Sequence, residues 1–238
     1  MSYKSLAGKD LTGANLSRAN LTGADLRKTV LTDANLVGAS LESADLSSAI
    51  LFRANLTGAN LHGADLEDVN FQLANLSQAK LTKVNIKNAI LQQANLTDAD
   101  LSGTGEACKD YSPTIWPGTR GCATFRGADL TEANLSELDL TFVNFSYSNL
   151  TNAKLQRANL FRSNFSNANL KGANLTGVKL DEVDLSFANL SDAQLVGVSF
   201  SGTILIEANL KGADLTGSDL ADAIFFKTTL PNGRSSED

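Results

Sequence analysis

A large apolar residue falls at every fifth position from Leu6 to Leu101, and the pattern resumes in a shifted register from Phe125 to Leu230. With the apolar position called i, the clearest unit is Ala54-Asn55-Leu56-Thr57-Gly58, followed at once by Ala59-Asn60-Leu61-His62-Gly63. Position i−2 is mostly Ala, i−1 is Asn or Asp, i+1 is often Ser or Thr, and i+2 varies with a Gly bias. A period of five suits neither regular structure. On an α-helix five residues turn about 500°, which smears the apolar positions around the cylinder. On a strand an odd period sends successive apolar residues to opposite faces. The chain must therefore turn a corner once per repeat. Residues i−2 and i share one inward direction, and i+1 and i+2 form the corner, where Gly supplies a positive φ. Such a chain winds into a solenoid with Leu and Ala inside.

The tandem phrase A-[DN]-L-x-x resembles the pentapeptide repeat family, over nearly the whole chain and in forty-two tandem units. The resemblance implies an all-β fold: a right-handed quadrilateral β-helix with four repeats, or twenty residues, per coil. Two features of the sequence agree with a twenty-residue coil. Phe125, Phe145 and Phe165 are spaced by twenty and would stack, and Asn15, Asn35, Asn55, Asn75 and Asn95 would form one outward column. The expected organisation is a single solenoid domain of about ten coils. A first repeat block spans 4–103, an inserted loop 104–122, a second block 123–230 and a polar tail 231–238. The tail is expected to fray.

The interruption carries both cysteines (Cys108 and Cys122), the only Trp (Trp116), Tyr111 and two of the three prolines. It is too short for a core of its own, and long loops without repeat structure are often functional. Tyr111 and Trp116 are therefore contact candidates. Cys108 and Cys122 stand at the two feet of the loop. A disulfide there would contribute about 3 kcal/mol in the chain-entropy model. Two ordinary thiols, or a redox-sensitive pair, are the alternatives in a reducing compartment.

Two apolar patches are expected on the outside. Val30, Ile50 and Ile90 occupy i−1, where polar residues are the rule, and Phe52 and Leu73 lie on the same side at corners. At the far end Ile204 and Ile224 share one outward column, and Ile206 and Phe226 the adjacent one. Contiguous exposed apolar area marks contact surfaces, and the second patch is a candidate for a homodimer through the C-terminal end. Phe142, Tyr147, Phe161 and Phe187 are also placed outward. Asp25, Asp45 and Asp65 form an acidic column, read as carboxylates that fan into water or accept hydrogen bonds from turn amides, in preference to a cation or basic-partner site.

The net charge of −6 is mild. Residues 1–104 hold nine basic against ten acidic residues, and residues 123–238 nine against fourteen. This argues against direct nucleic-acid binding through a basic face. No run of eighteen apolar residues suggests a membrane span. The first residues have no apolar signal core, so a cytoplasmic location is the default; a periplasmic or thylakoid-lumen protein would require a signal removed beforehand. One histidine (His62) excludes Ser-His-Asp and most His-metal arrangements, and every glycine of the repeats is accounted for by a corner. No enzyme activity, cofactor or metal is expected.

The leading functional expectation is a non-catalytic structural or protein-interaction solenoid with an unknown protein partner, most similar to cyanobacterial members of the family. The resemblance also implies a second option, a DNA-mimicking protein that binds DNA gyrase and protects it from quinolones, which a contiguous acidic face on the second block would favour. The third is a redox-responsive regulator acting through Cys108 and Cys122.

Overall fold

In this computed structural model, residues 5–102 and 122–237 are described. The residue at i−1 of each repeat forms a parallel bridge with the residue twenty positions on, as in Asn35 with Asn55 and Asn55 with Asn75. Four five-residue sides therefore make one coil. Among the described residues, extended structure is confined to this single bridging residue per repeat. The β-coil is thus built of single bridges in place of continuous strands, because the turn recurs too soon for a longer strand to form.

The backbone accounts for nearly all of its own hydrogen bonds. In the unit Ala54–Gly58, Asn55 N–H donates to Ala34 C=O one coil back (2.9 Å). Leu56 N–H donates to Asn75 C=O one coil ahead (2.7 Å), and Gly58 N–H to Ser77 C=O (2.9 Å). Ala54 N–H closes the preceding corner on Leu51 C=O (3.0 Å). The fifth donor, Thr57 N–H, binds the Asn55 side chain (Oδ1, 3.1 Å), which also accepts from Thr57 Oγ1 (2.7 Å). Asn or Asp is favoured at i−1 because its acceptor reaches the one amide that the coil leaves over, an Asx turn repeated at most corners.

Among the described residues the corners pass through positive φ at i+2, Asp222 excepted. Gly58 (φ 63°) does so at no steric cost, but Leu73, Tyr147 and Phe187 hold the same conformation at 61°. For a residue with a Cβ this costs roughly 1–2 kcal/mol.

The interior is a column of Leu flanked by Ala, sealed from water from Leu26 to Leu210. Where a hydroxyl replaces the inward Ala it donates to a core carbonyl, as Thr203 Oγ1 does to Leu180 C=O (2.8 Å) and Ser148 Oγ to Phe145 C=O (2.6 Å). The three phenylalanines stack as their spacing predicts. Phe125 and Phe145 ring centroids are 4.9 Å apart and Phe145 and Phe165 4.6 Å, with rings 14° and 12° from parallel.

Two expectations change at the surface. Phe142 is buried and packs edge-on against Phe161 at 6.1 Å, so its corner ring is covered in place of being exposed. The tail is not frayed over its first six residues. Gly233 (φ 82°) turns the chain back, Thr229 pairs antiparallel with Ser235, and Ser236 N–H donates to Thr228 C=O (2.8 Å). Pro231-Asn232-Gly233 is a turn sequence, and the open edge of the last coil supplies the partners.

Candidate interaction surface

The four sides are numbered in chain order, with Asp25, Ile50, Asn55 and Asn60 marking sides one to four. Side two is continuous through the interruption. Ile90 bridges to Thr124, Asn95 to Asp129 and Asp100 to Asn134, a spacing of 34 in place of 20. Leu91 N–H donates to Thr124 C=O at 2.8 Å. The chain thus holds fourteen residues beyond one coil between these rungs, and the first of these rungs in the second block, Thr124, falls on side two.

That register unites the two expected patches. The i−1 column of side two reads Asp10, Val30, Ile50, Asn70, Ile90, Thr124, Asn144, Asn164, Asp184, Ile204 and Ile224 as one unbroken ladder of eleven rungs. Phe52, Leu73, Tyr147, Phe187, Ile206 and Phe226 stand on the corner between sides two and three. Among the described residues every large apolar side chain classed as exposed lies on this side or this corner: Ile50, Leu73, Ile90, Tyr147, Phe187, Ile224 and Phe226, between 37% and 58% exposed. Val30, Phe52, Ile204 and Ile206 are half-buried between them.

This strip is built against local preference. Val30, Ile50, Ile90, Ile204 and Ile224 have no side-chain acceptor, so the turn amides of Thr32, Phe52, Gln92, Ile206 and Phe226 forgo the bond that Asn supplies elsewhere. Leu73, Tyr147 and Phe187 add bulky side chains at positive φ. Cations lie over rings of the strip: Arg53 is 4.9 Å from the Phe52 centroid, Arg126 5.0 Å from Tyr147 and Lys227 5.2 Å from Phe226.

The other sides carry polar ladders. On side one Asp45 Oδ1 accepts from Ser47 N–H (3.0 Å) and Oγ (2.6 Å), and Asp65 Oδ1 from Glu67 N–H (3.1 Å) and Asn85 Nδ2 (2.9 Å). Asp25 takes Arg27 in a two-pronged contact (2.8 and 2.9 Å) and also Ser5 Oγ (2.9 Å). These bonds, that to Arg27 above all, hold its carboxyl far below the usual carboxylate range. The acidic column is thus made of turn caps. On side three of the second block Asn149, Asn169, Asn189 and Asn209 are linked amide to amide at 3.0–3.3 Å.

The acidic residues of the second block do not gather on one face. Asp139, Asp184, Asp129 and Asp214 occupy sides one, two, three and four in turn. Arg157 is paired with Glu137, and Arg162 with Glu182 at 2.7 Å. Among the described residues no group of three or more His, Cys, Asp or Glu side chains is placed to hold a metal ion, and no helix is long and apolar enough to cross a membrane. Cys122 is half-buried at the start of the second block. Cys108, Tyr111 and Trp116, with the rest of the expected loop through Gly121, lie outside the described residues.

A family profile described as pentapeptide repeats matches in eight copies, over residues 10–47, 49–88, 79–104, 122–157, 158–193 and 193–230. Among solved structures, one similar to this chain is HetL, a pentapeptide repeat protein involved in heterocyst differentiation regulation from the cyanobacterium Nostoc sp. strain PCC 7120. The identity is 32%, over 97% of this chain and 91% of that one, with a TM-score of 0.43. Another is a pentapeptide repeat protein from the Arabidopsis thaliana thylakoid lumen, 29% identical over 58% of this chain and 68% of that one, with a TM-score of 0.19. Full-length QnrB1, a plasmid-mediated fluoroquinolone resistance protein, is 16% identical over 96% and 94%, with a TM-score of 0.37. Among curated proteins none matches.

Proposed function

This chain belongs to the pentapeptide repeat family, and from that premise we propose that it is a non-catalytic protein-interaction rod whose contact surface is side two. The coil is read as right-handed, the sense the resemblance implies. The observation that carries the proposal is the confinement of every exposed large apolar side chain among the described residues to one side and its corner. A by-product of loose repeat matching would scatter them over four sides. These residues also give up turn caps and accept positive φ, which costs stability and calls for a compensating contact.

The test is comparative affinity capture with the intact chain and with a Leu73→Asn, Tyr147→Asn, Phe187→Asn variant. These three corner positions are solvent-exposed, and Asn tolerates positive φ, so the variant keeps its fold. A protein retained by the wild type and lost by the variant supports the reading. Equal retention by both removes it.

A bond between Cys108 and Cys122 belongs to the same reading, as a staple that would fix the projection of the interrupting segment. Mass spectrometry of protein purified without reductant, after thiol blocking, tests it. A closed bond supports the staple and an oxidising compartment. Two blocked thiols remove the staple and keep the cytoplasmic default.

A further inference from the structure

We propose that side two is a self-complementary interface on which two copies of this chain pair antiparallel, with the two-fold axis in the plane of contact and perpendicular to the rod. This rests on side two being the contact surface and names what occupies it. Number the rungs of the side from one at Asp10 to eleven at Ile224. A two-fold axis of this kind maps each column onto itself and reverses the rung order. With rung two set against rung eleven, Val30 meets Ile224 of the other copy and Ile50 meets Ile204. On the corner, Leu73 at rung four meets Phe187 at rung nine.

The charges follow the same reversal. Asp33 and Arg53 hold the corner at rungs two and three, and they pair with each other through Nη2 to Oδ2 at 2.6 Å. Glu207 and Lys227 hold it at rungs ten and eleven. Reversal sets Asp33 against Lys227 and Arg53 against Glu207, so the four groups form an alternating square at each end of the contact. Complementary potentials of this kind fix register and partner choice. A contact displaced by one rung would oppose Ile50 to Asp184.

The size is sufficient. Ten overlapping rungs at about 4.8 Å span roughly 48 Å, and a side is about three extended residues, or about 10 Å, wide. Two copies would bury about 1,000 Å² in total, the lower end of specific interfaces. The dimer differs from an end-to-end dimer at the last coil because half of its apolar contacts come from the first block.

Sedimentation velocity of the full chain from about 1 to about 100 μM tests the arrangement. The wild type is expected to pass from monomer to dimer across this range. Ile50→Asn restores an acceptor for Phe52 N–H, so its unfolding midpoint should hold or rise while dimerisation weakens about tenfold, each substitution being felt twice in a symmetric contact. Arg53→Glu and Glu207→Arg should each weaken the dimer by a similar factor, and the double swap should recover most of the loss. Residues 53 and 207 are seven rungs, about 34 Å, apart within one chain, so recovery can arise only between copies. A monomer at about 100 μM, a dimer indifferent to Ile50→Asn, or a double swap no better than its singles would each overturn the proposal. If a different protein is still lost on the side-two variant, this inference fails while side two stands as the contact surface.

Discussion

The sharpest test of the coil's hydrogen-bond logic is at Asn169, in the amide ladder of side three. Its Oδ1 accepts from Lys171 N–H at 3.3 Å and from Asn189 Nδ2 at 3.0 Å. Its Nδ2 donates to Asn149 Oδ1 at 3.2 Å and to Thr151 Oγ1 at 2.9 Å. All four bonds are part-exposed, so each is taken at the lower end of the net range, about 0.5 kcal/mol. Asn169→Ala then loses about 2 kcal/mol. Asn169→Asp keeps both accepted bonds and forfeits the donated pair, for a loss of about 1 kcal/mol. The control is Asn174 on the next side of the same coil, which accepts from Thr176 N–H at 3.0 Å and has no ladder bond among those found for the described residues. Asn174→Ala should cost about 0.5 kcal/mol. Urea unfolding midpoints at fixed protein concentration read all three. If Asn169→Ala and Asn174→Ala cost the same, the ladder contributes nothing beyond the turn cap. If Asn169→Asp is as damaging as Asn169→Ala, the turn cap itself is not what Asn supplies.

Two further outcomes follow from the core and the surface carboxylates. Phe145→Ala should cost about 3–5 kcal/mol because it opens a void between two stacked rings, whereas Phe145→Leu should cost about 1 kcal/mol, Leu185 and Leu205 holding the same column; thermal or urea unfolding measures both. Hydrogen bonds hold the carboxyls of Asp10, Asp25, Asp33 and Asp214 below their ordinary value. Groups depressed in the folded state contribute stability that is complete above the unfolded value near 3.9 and is lost as pH falls from there toward the folded values. Unfolding midpoints should therefore be flat above about pH 5 and fall below about pH 4, less steeply in Arg27→Gln, which removes the main partner of Asp25. A rise in midpoint on acidification would mean that relief of the chain's negative self-repulsion outweighs these bonds.

Much of this was legible in the sequence, because a period of five admits one kind of solution. Leu at i, Ala at i−2 and the corner at i+1 and i+2 follow from it, and the twenty-residue spacing of Phe125, Phe145 and Phe165 foretold their stack. The role of Asn at i−1 could be expected only in outline, since it depends on which amide the coil leaves unpaired. Phe142 was misjudged as exposed because its corner lies beside Phe161, a neighbour nineteen residues on in sequence and one coil away in space. The tail was misjudged because a polar sequence does not reveal that an open coil edge stands ready to receive it. The single strip on side two was hidden for a topological reason. From Leu101 to Phe125 the chain takes twenty-four residues, and no count of residues says how many stay on the coil. Only the bridges from Ile90 to Thr124 and from Asn95 to Asp129 show that fourteen are surplus and that the side sequence is kept.

That preserved register turns two unremarkable clusters into one surface. Had the second block resumed one side later, Ile204 and Ile224 would extend the Asn column of side three, a quarter turn from Ile50 and Ile90. Each apolar residue could then be dismissed as a lapse in a tolerant repeat. On one side they form a pattern with a cost attached: five missing turn caps and three bulky residues at positive φ, each worth about 0.5–2 kcal/mol. The ladders of sides one and three show that the same coil readily supplies polar caps where no contact is at stake. Uncapped corners elsewhere follow polar residues such as Lys80, Lys154 and Lys179, whereas on side two they follow apolar ones; stability and recognition thus draw on different residues of the strip, which is why Ile50→Asn should separate the two in a single substitution.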